Sequence, residues 1–213
     1  MKTRNHDTVF VFHSALIVAI ALPALAYDYP LSPEAVREAY MLGKSDSSKR
    51  DAFFAKYTQH PPLPKTGPYV EMIQLETPFA VVAEHTARKL NYYAPDAAEE
   101  FAGKPAIFRV HVEIDFTGSY GAQLPSETGE IRFRPDDFWR DFKIRLIQGK
   151  EIPARTIHGT PLYSDDATIS GLIGARVDLE YDAAKIKSDD ATVEVITPDG
   201  QDVKADFDLA TLR

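Results

Sequence analysis

No cysteine occurs among the 213 residues. That absence excludes disulfide scaffolds, thiolate zinc sites, iron–sulfur clusters, thiol nucleophiles and lipid attachment through a cysteine. Cations are also in deficit, with 24 Lys and Arg against 32 Asp and Glu, for a formal charge of −8. Nucleic-acid binding requires clustered positive charge against phosphate, so that function class is excluded. The Gly-rich dinucleotide fingerprint, Gly-x-Ser-x-Gly and His-Glu-x-x-His are all missing. Gly43-Lys44-Ser45 resembles the tail of a phosphate loop, but Glu38 stands where its leading glycine belongs. No cofactor is therefore expected. What is present, 44% hydrophobic and 26% charged residues, is the composition of a folded globule.

The amino terminus reads as a secretory signal over residues 1–26. Lys2 and Arg4 form a basic start, Val9–Phe12 and Ala15–Leu22 an apolar stretch, and Ala24-Leu25-Ala26 a cleavage site. A membrane anchor is the rival, but the run from Ala15 is short for a bilayer and Pro23 interrupts its end. Tyr27 occupies the position where a lipoprotein needs cysteine. The expected location is periplasmic or secreted, with no membrane span after cleavage. Lacking both cysteine and any Asn-x-Ser/Thr sequon, the chain suits a bacterial envelope.

The remaining chain predicts a mainly β fold: an antiparallel β-sandwich-like domain over 67–213, preceded over 27–66 by a helical hairpin and a Pro-rich strap. Ser32, Pro33 and Glu34 are a cap, a first-turn proline and a dipole partner, and Gly43 is a stop. A second helix is expected from Ser48 to about Tyr57, before His60-Pro61-Pro62-Leu63-Pro64 forces an extended connector. Tyr69–Glu76 reads as a strand. Phe79–Leu90 fits either a helical face or a buried strand, and the strand is preferred for part of it. Pro95–Ala102 reads as a short helix ended by Gly103.

Beyond it, strict alternation sets Phe108, Val110, Val112, Ile114 and Phe116 inward and Arg109, His111, Glu113 and Asp115 outward. Phe142–Leu146, Ala175–Asp182, Thr192–Thr197 and Asp202–Leu209 repeat the pattern, the last two joined by a hairpin signal at Asp199-Gly200. The pairs Thr77-Pro78, Thr160-Pro161 and Thr197-Pro198 read as strand ends.

The segment Tyr27-Asp28-Tyr29-Pro30-Leu31-Ser32-Pro33-Glu34-Ala35-Val36-Arg37-Glu38-Ala39-Tyr40-Met41-Leu42-Gly43 resembles the opening of uncharacterised secreted bacterial proteins. The resemblance implies export and carries no activity, substrate or catalytic residue.

Three constellations are candidates for chemistry. His111, with Glu113 and Asp115 on its strand face at spacings of about 6.6 Å, brings an imidazole near two carboxylates. A solvated outer face accounts for the same residues, so His111 is expected to be exposed and to titrate at about 6.5. Should anything cover it, the strap His60–Pro64 is the obvious element. Asp202, Asp206 and Asp208 share one face and are candidate cation ligands, as are the pairs Asp165-Asp166 and Asp189-Asp190, although none matches an EF-hand spacing. Trp139, in a charged setting, is a candidate platform for a sugar or peptide, with core packing as its alternative.

These readings favour an exported, non-catalytic binding or accessory protein of the envelope, with a protein or carbohydrate partner. The alternative is a small hydrolase built around His111, and a third reading is a structural subunit joined through edge strands. An enzyme should hold His111 and a carboxylate in a concave pocket with perturbed ionisation. A binding module should instead expose an aromatic or apolar patch.

Overall fold

The computed structural model describes residues 29–124, 129–164 and 171–213. Residues 1–26, expected to be a signal sequence, and Asp165-Asp166 lie outside these residues. Two helices open the described chain, α1 (Pro33–Gly43) and α2 (Ser47–Phe54), the latter tightening into a single turn at Ala55–Tyr57. Ser32 Oγ accepts from the Ala35 amide at 3.1 Å, and Asp46 Oδ1 accepts from Lys49 at 2.9 Å, so each helix starts on a side-chain cap.

A short strand β1 (Thr58–Gln59) leads to β2 (Tyr69–Glu76), followed by α3 (Pro78–Arg88) and α4 (Ala94–Phe101). The strands then run β3 (Ile107–Asp115), β4 (Gln123–Leu124), β5 (Arg132–Phe133), β6 (Lys143–Gln148), β7 (Lys150–Ile152), β8 (Thr156–Tyr163), β9 (Leu172–Asp182), β10 (Asp190–Ile196) and β11 (Asp202–Asp208). All pairings between these strands are antiparallel. One sheet has the order β1-β2-β3-β9-β8 and a second has β11-β10-β6-β7, with β4 and β5 forming a small ribbon. The fold is mainly β and antiparallel. Among the described residues no helix is long and apolar enough to cross a membrane.

Alternation builds the core. Val110, Val112 and Ile114 of β3 and Ala175, Val177 and Leu179 of β9 share one buried cluster with Leu146, Val193, Val195 and Phe207 of the four-stranded sheet. A second cluster joins Leu31, Ala35, Val36 and Ala39 to Phe79, Val82 and Ala83 of α3 and Ala97 of α4. The helices before and after β2 therefore share one apolar centre. Gly43 makes that approach possible, since a Cβ there would collide with the Ala83 carbonyl and Thr86.

Four expectations are corrected. Phe79–Leu90 is not a strand: Pro78–Arg88 is helical, with Thr77 Oγ1 accepting from the Ala80 amide at 3.3 Å and Pro78 in the first turn. Thr160-Pro161 does not end a strand but lies inside β8, which is tolerated because β8 is an edge. Glu194, expected in solvent, is buried; its cross-strand neighbours Arg145 and Lys204 both pair with it and lay their stems over it. The strap does not cross the sheet either. It prolongs the β1 edge, where His60 Nδ1 meets the Glu71 carbonyl at 3.0 Å.

Trp139 is 9% exposed, and a Cβ on Gly159 of β8 would collide with its ring. Gly159→Ala should therefore destabilise the protein by about 1–3 kcal/mol through overpacking. Urea unfolding with a red-shifted emission of this only tryptophan checks it. An unchanged midpoint would show that the ring does not rest on β8.

Candidate functional site

The outer face of the five-stranded sheet is a field of charge arranged by register. Gln74, His111 and Asp178 stand side by side across β2, β3 and β9, and Glu76, Arg109 and Glu180 form the next row. Directly opposed residues on one face have Cβ atoms about 4.5–5.5 Å apart, closer than residues two apart on one strand. Register therefore gives His111 its partners.

Those partners are not the ones the strand alone points to. The His111 Nδ1–H donates to Asp178 Oδ1, and Nε2 faces Glu76 Oε1 at 3.1 Å. Glu113 instead accepts from Arg176 at 3.1 Å. Asp115 sits opposite Gly174 at the far end of the strand. Helix α3 supplies the cover. It begins directly after β2 and folds back so that Glu84, two turns along, comes over Glu76, while Arg88 one turn later pairs with Glu84. Arg109 holds the base of the cluster, donating to Glu76 Oε2 and Glu180 Oε1 at 3.1 Å each.

His111 is thus 8% exposed and Glu76 fully buried, so the expectation of an exposed imidazole with an ordinary pKa is overturned. Burial pulls its pKa down, but the Asp178 and Glu76 carboxylates beside it outweigh burial and raise it from 6.5 to about 9. Burial pushes the Glu76 carboxyl up, yet His111, Glu84 and Arg109 bring it well below the usual range. Glu84 moves the other way, raised first by burial and then by the neighbouring Glu76 carboxylate.

The cluster opens to solvent through a pocket of about 190 Å³ lined by Met72, Gln74, Glu84, Arg88, His111, Arg176 and Asp178. Two polar atoms of the cluster are buried without a hydrogen bond, Glu76 Oε1 and His111 Nε2. They lie within ion-pair distance of one another but outside hydrogen-bond geometry. Ligand atoms of Glu76, Glu84 and His111 all fall within 4.8 Å of one another.

The other candidates do not converge. Asp202 pairs with Lys204 at 2.8 Å, Asp206 Oδ1 accepts from Thr192 at 2.6 Å, and Asp208 Oδ1 accepts from Ala210 at 3.0 Å. Asp189 Oδ1 is taken by the Asp190 amide at 2.9 Å. Trp139 packs in the core beneath the Arg140 guanidinium, 4.8 Å from its ring centre. Sequence reasoning missed Glu76 and Glu84 as site residues and placed Asp178 only on a solvent face. The usable signal was Thr77-Pro78, a cap and first-turn proline that reverse the chain immediately after Glu76.

The ionisation has a measurable consequence in the metal-free protein. His111 is faced by Glu76 from β2, Asp178 and Arg176 from β9, Glu84 and Arg88 from α3, and Arg109 on its own strand. Its folded pKa exceeds the unfolded one, so its contribution to stability is complete below about 6.5 and lost as pH rises through about 9. Imidazole NMR should show titration near about 9. A midpoint near the unperturbed value of about 6.5 would contradict the buried pairing.

Compared with protein-family models, curated proteins and solved structures, the chain matches none.

Proposed function

We propose that the protein is an exported binding protein of the bacterial envelope, and that the pocket under α3 is its binding site. The observation that carries this is the position of the charge cluster. A buried imidazole lines an open cavity with a fully buried carboxylate directly behind it, and each has a polar atom without a hydrogen bond. Desolvating such groups is expensive, and packed apolar side chains of like volume often stabilise a fold as well or better. Perturbed ionisation beside a cleft is the mark of a functional site. Export is supported by the basic start, apolar stretch and Ala24-Leu25-Ala26 site.

Two measurements test the reading. Amide NMR of the purified protein with zinc chloride, inorganic phosphate or N-acetylglucosamine should shift Gln74, Arg88 and Asp178 for at least one probe. Shifts only elsewhere, or none, would overturn the site. Protein recovered from the host envelope should begin at Tyr27, whereas Met1 retained on cytoplasmic protein would overturn export.

Hydrolysis is the second reading, favoured because His111 and Asp178 meet the mark expected of an enzyme, an imidazole and a carboxylate in a concave pocket with shifted ionisation. A carboxylate that orients an imidazole is the arrangement that positions a general base. Turnover of p-nitrophenyl acetate that disappears in His111→Asn would favour it; turnover indifferent to that change would not.

A further inference from the structure

Resting on that pocket as the binding site, we infer that its ligand is a divalent transition-metal cation of the zinc class, held by Glu76, Glu84 and His111. Two carboxylates and an imidazole are a mixed oxygen and nitrogen donor set of the kind zinc accepts. Calcium demands 6–8 converging oxygens, which this trio does not supply. The chain has no cysteine, so a thiolate site is impossible.

Geometry supplies the independent support. Glu76 Oε1 and His111 Nε2 are buried, lack hydrogen bonds, and stand 3.1 Å apart. Two ligands about 2.0–2.2 Å from one tetrahedral ion are separated by roughly 3.4 Å, so this pair already has near-ligating spacing. The third donor lies within 4.8 Å. Glu84 is on the pocket side, paired to an exposed Arg88 that can release it without burying a charge.

The surroundings have the form of a supporting shell. A ligating imidazole must be neutral at the metal-bound nitrogen, and its other N–H is commonly given to a carboxylate. His111 does this through Nδ1 to Asp178, which leaves Nε2 for the ion. Arg109 bonds the opposite oxygen of Glu76, Oε2, and fixes the orientation of Oε1. Asp178 and Arg109 are positioning residues in this arrangement. Three protein ligands leave a fourth position open towards the cavity.

Calorimetry on tag-free protein stripped with a chelator tests the inference directly. One Zn²⁺ per chain should bind, in preference to Ca²⁺ and Mg²⁺. Glu84→Gln should lower the affinity at least tenfold and His111→Asn should abolish it. Asp178→Asn should cost roughly 10–100-fold, the usual effect of removing a supporting partner. Asp202→Asn, at an exposed position on β11 of the other sheet, should change nothing. Near-UV circular dichroism establishes that each variant is folded, and Glu84→Gln is the safest because Glu84 is not fully buried. No zinc uptake, uptake unchanged in folded Glu84→Gln, or a preference for Ca²⁺ would overturn the inference. If zinc fails while phosphate or N-acetylglucosamine shifts Gln74, Arg88 and Asp178, the metal falls and the pocket stands. If no probe shifts those residues, both fall.

Discussion

Replacing Glu76 by alanine should destabilise the metal-free protein by about 3–5 kcal/mol, the cost of breaking a buried ion pair from one side. Glu76 is fully buried, and its two oxygens face His111 and Arg109. Without it a desolvated imidazolium keeps Asp178 alone, and Arg109 keeps Glu180 but loses its buried partner. Glu84 stands too far towards solvent to replace it, 4.0 Å from Arg109. Urea unfolding at neutral pH measures the loss. The folded fraction of the variant should also depend less on pH between about 6.5 and 9, because the imidazole loses one of the two carboxylates that raise its pKa. A cost below about 1 kcal/mol would place the pair in the range of exposed ion pairs and remove the argument for a costly buried site.

Leu179→Ala should cost about 2–4 kcal/mol, within the range for buried leucine truncation. Leu179 lies on the inner face of β9 with no exposed surface, between Ile157 and Val110 on the neighbouring strands and against the second sheet. The two sheets are held apart by many such side chains, so one cannot collapse to fill the void. The contrasting change, Glu113→Gln on the outer face of β3, should cost little, since it weakens only a partly exposed pair with Arg176. Equal effects of the two substitutions in chemical denaturation would mean that the inner and outer faces have been assigned to the wrong sides.

The contrast between those residues was legible in the sequence. Alternation on β3, β9, β10 and β11 placed Val112, Ile114, Val177, Leu179, Val195 and Phe207 inward, and all six are buried. The period of two is a local property, so single strands reveal it. Helix α3 was harder, because Phe79-Ala80-Val81-Val82 is apolar at every position and carries no period. Its cap, Thr77-Pro78, repeats the Ser32-Pro33 logic of α1 and was the stronger clue. Strand β8 was hidden by Gly159 and by Pro161, a residue that an edge permits and a central strand does not.

The site was less legible than the fold for a physical reason. His111 was singled out on its own strand, beside Glu113 and Asp115, where neighbours on one face are about 6.6 Å apart. Its actual partners come from β2, β9 and α3, at sequence separations that no local pattern encodes. Glu76 looked like the last residue of a strand and Glu84 like a charged residue in an ambiguous segment. Only the register of β2 on β3 and the fold-back of α3 bring them together.

Crystals of the protein soaked in zinc chloride, measured on both sides of the zinc absorption edge, test the central claim most directly. The account predicts an anomalous peak under α3, about 2.0–2.2 Å from His111 Nε2 and from one oxygen each of Glu76 and Glu84. Density confined to exposed groups such as His60 or His158, with no peak at the Glu76–Glu84–His111 cluster, would contradict it.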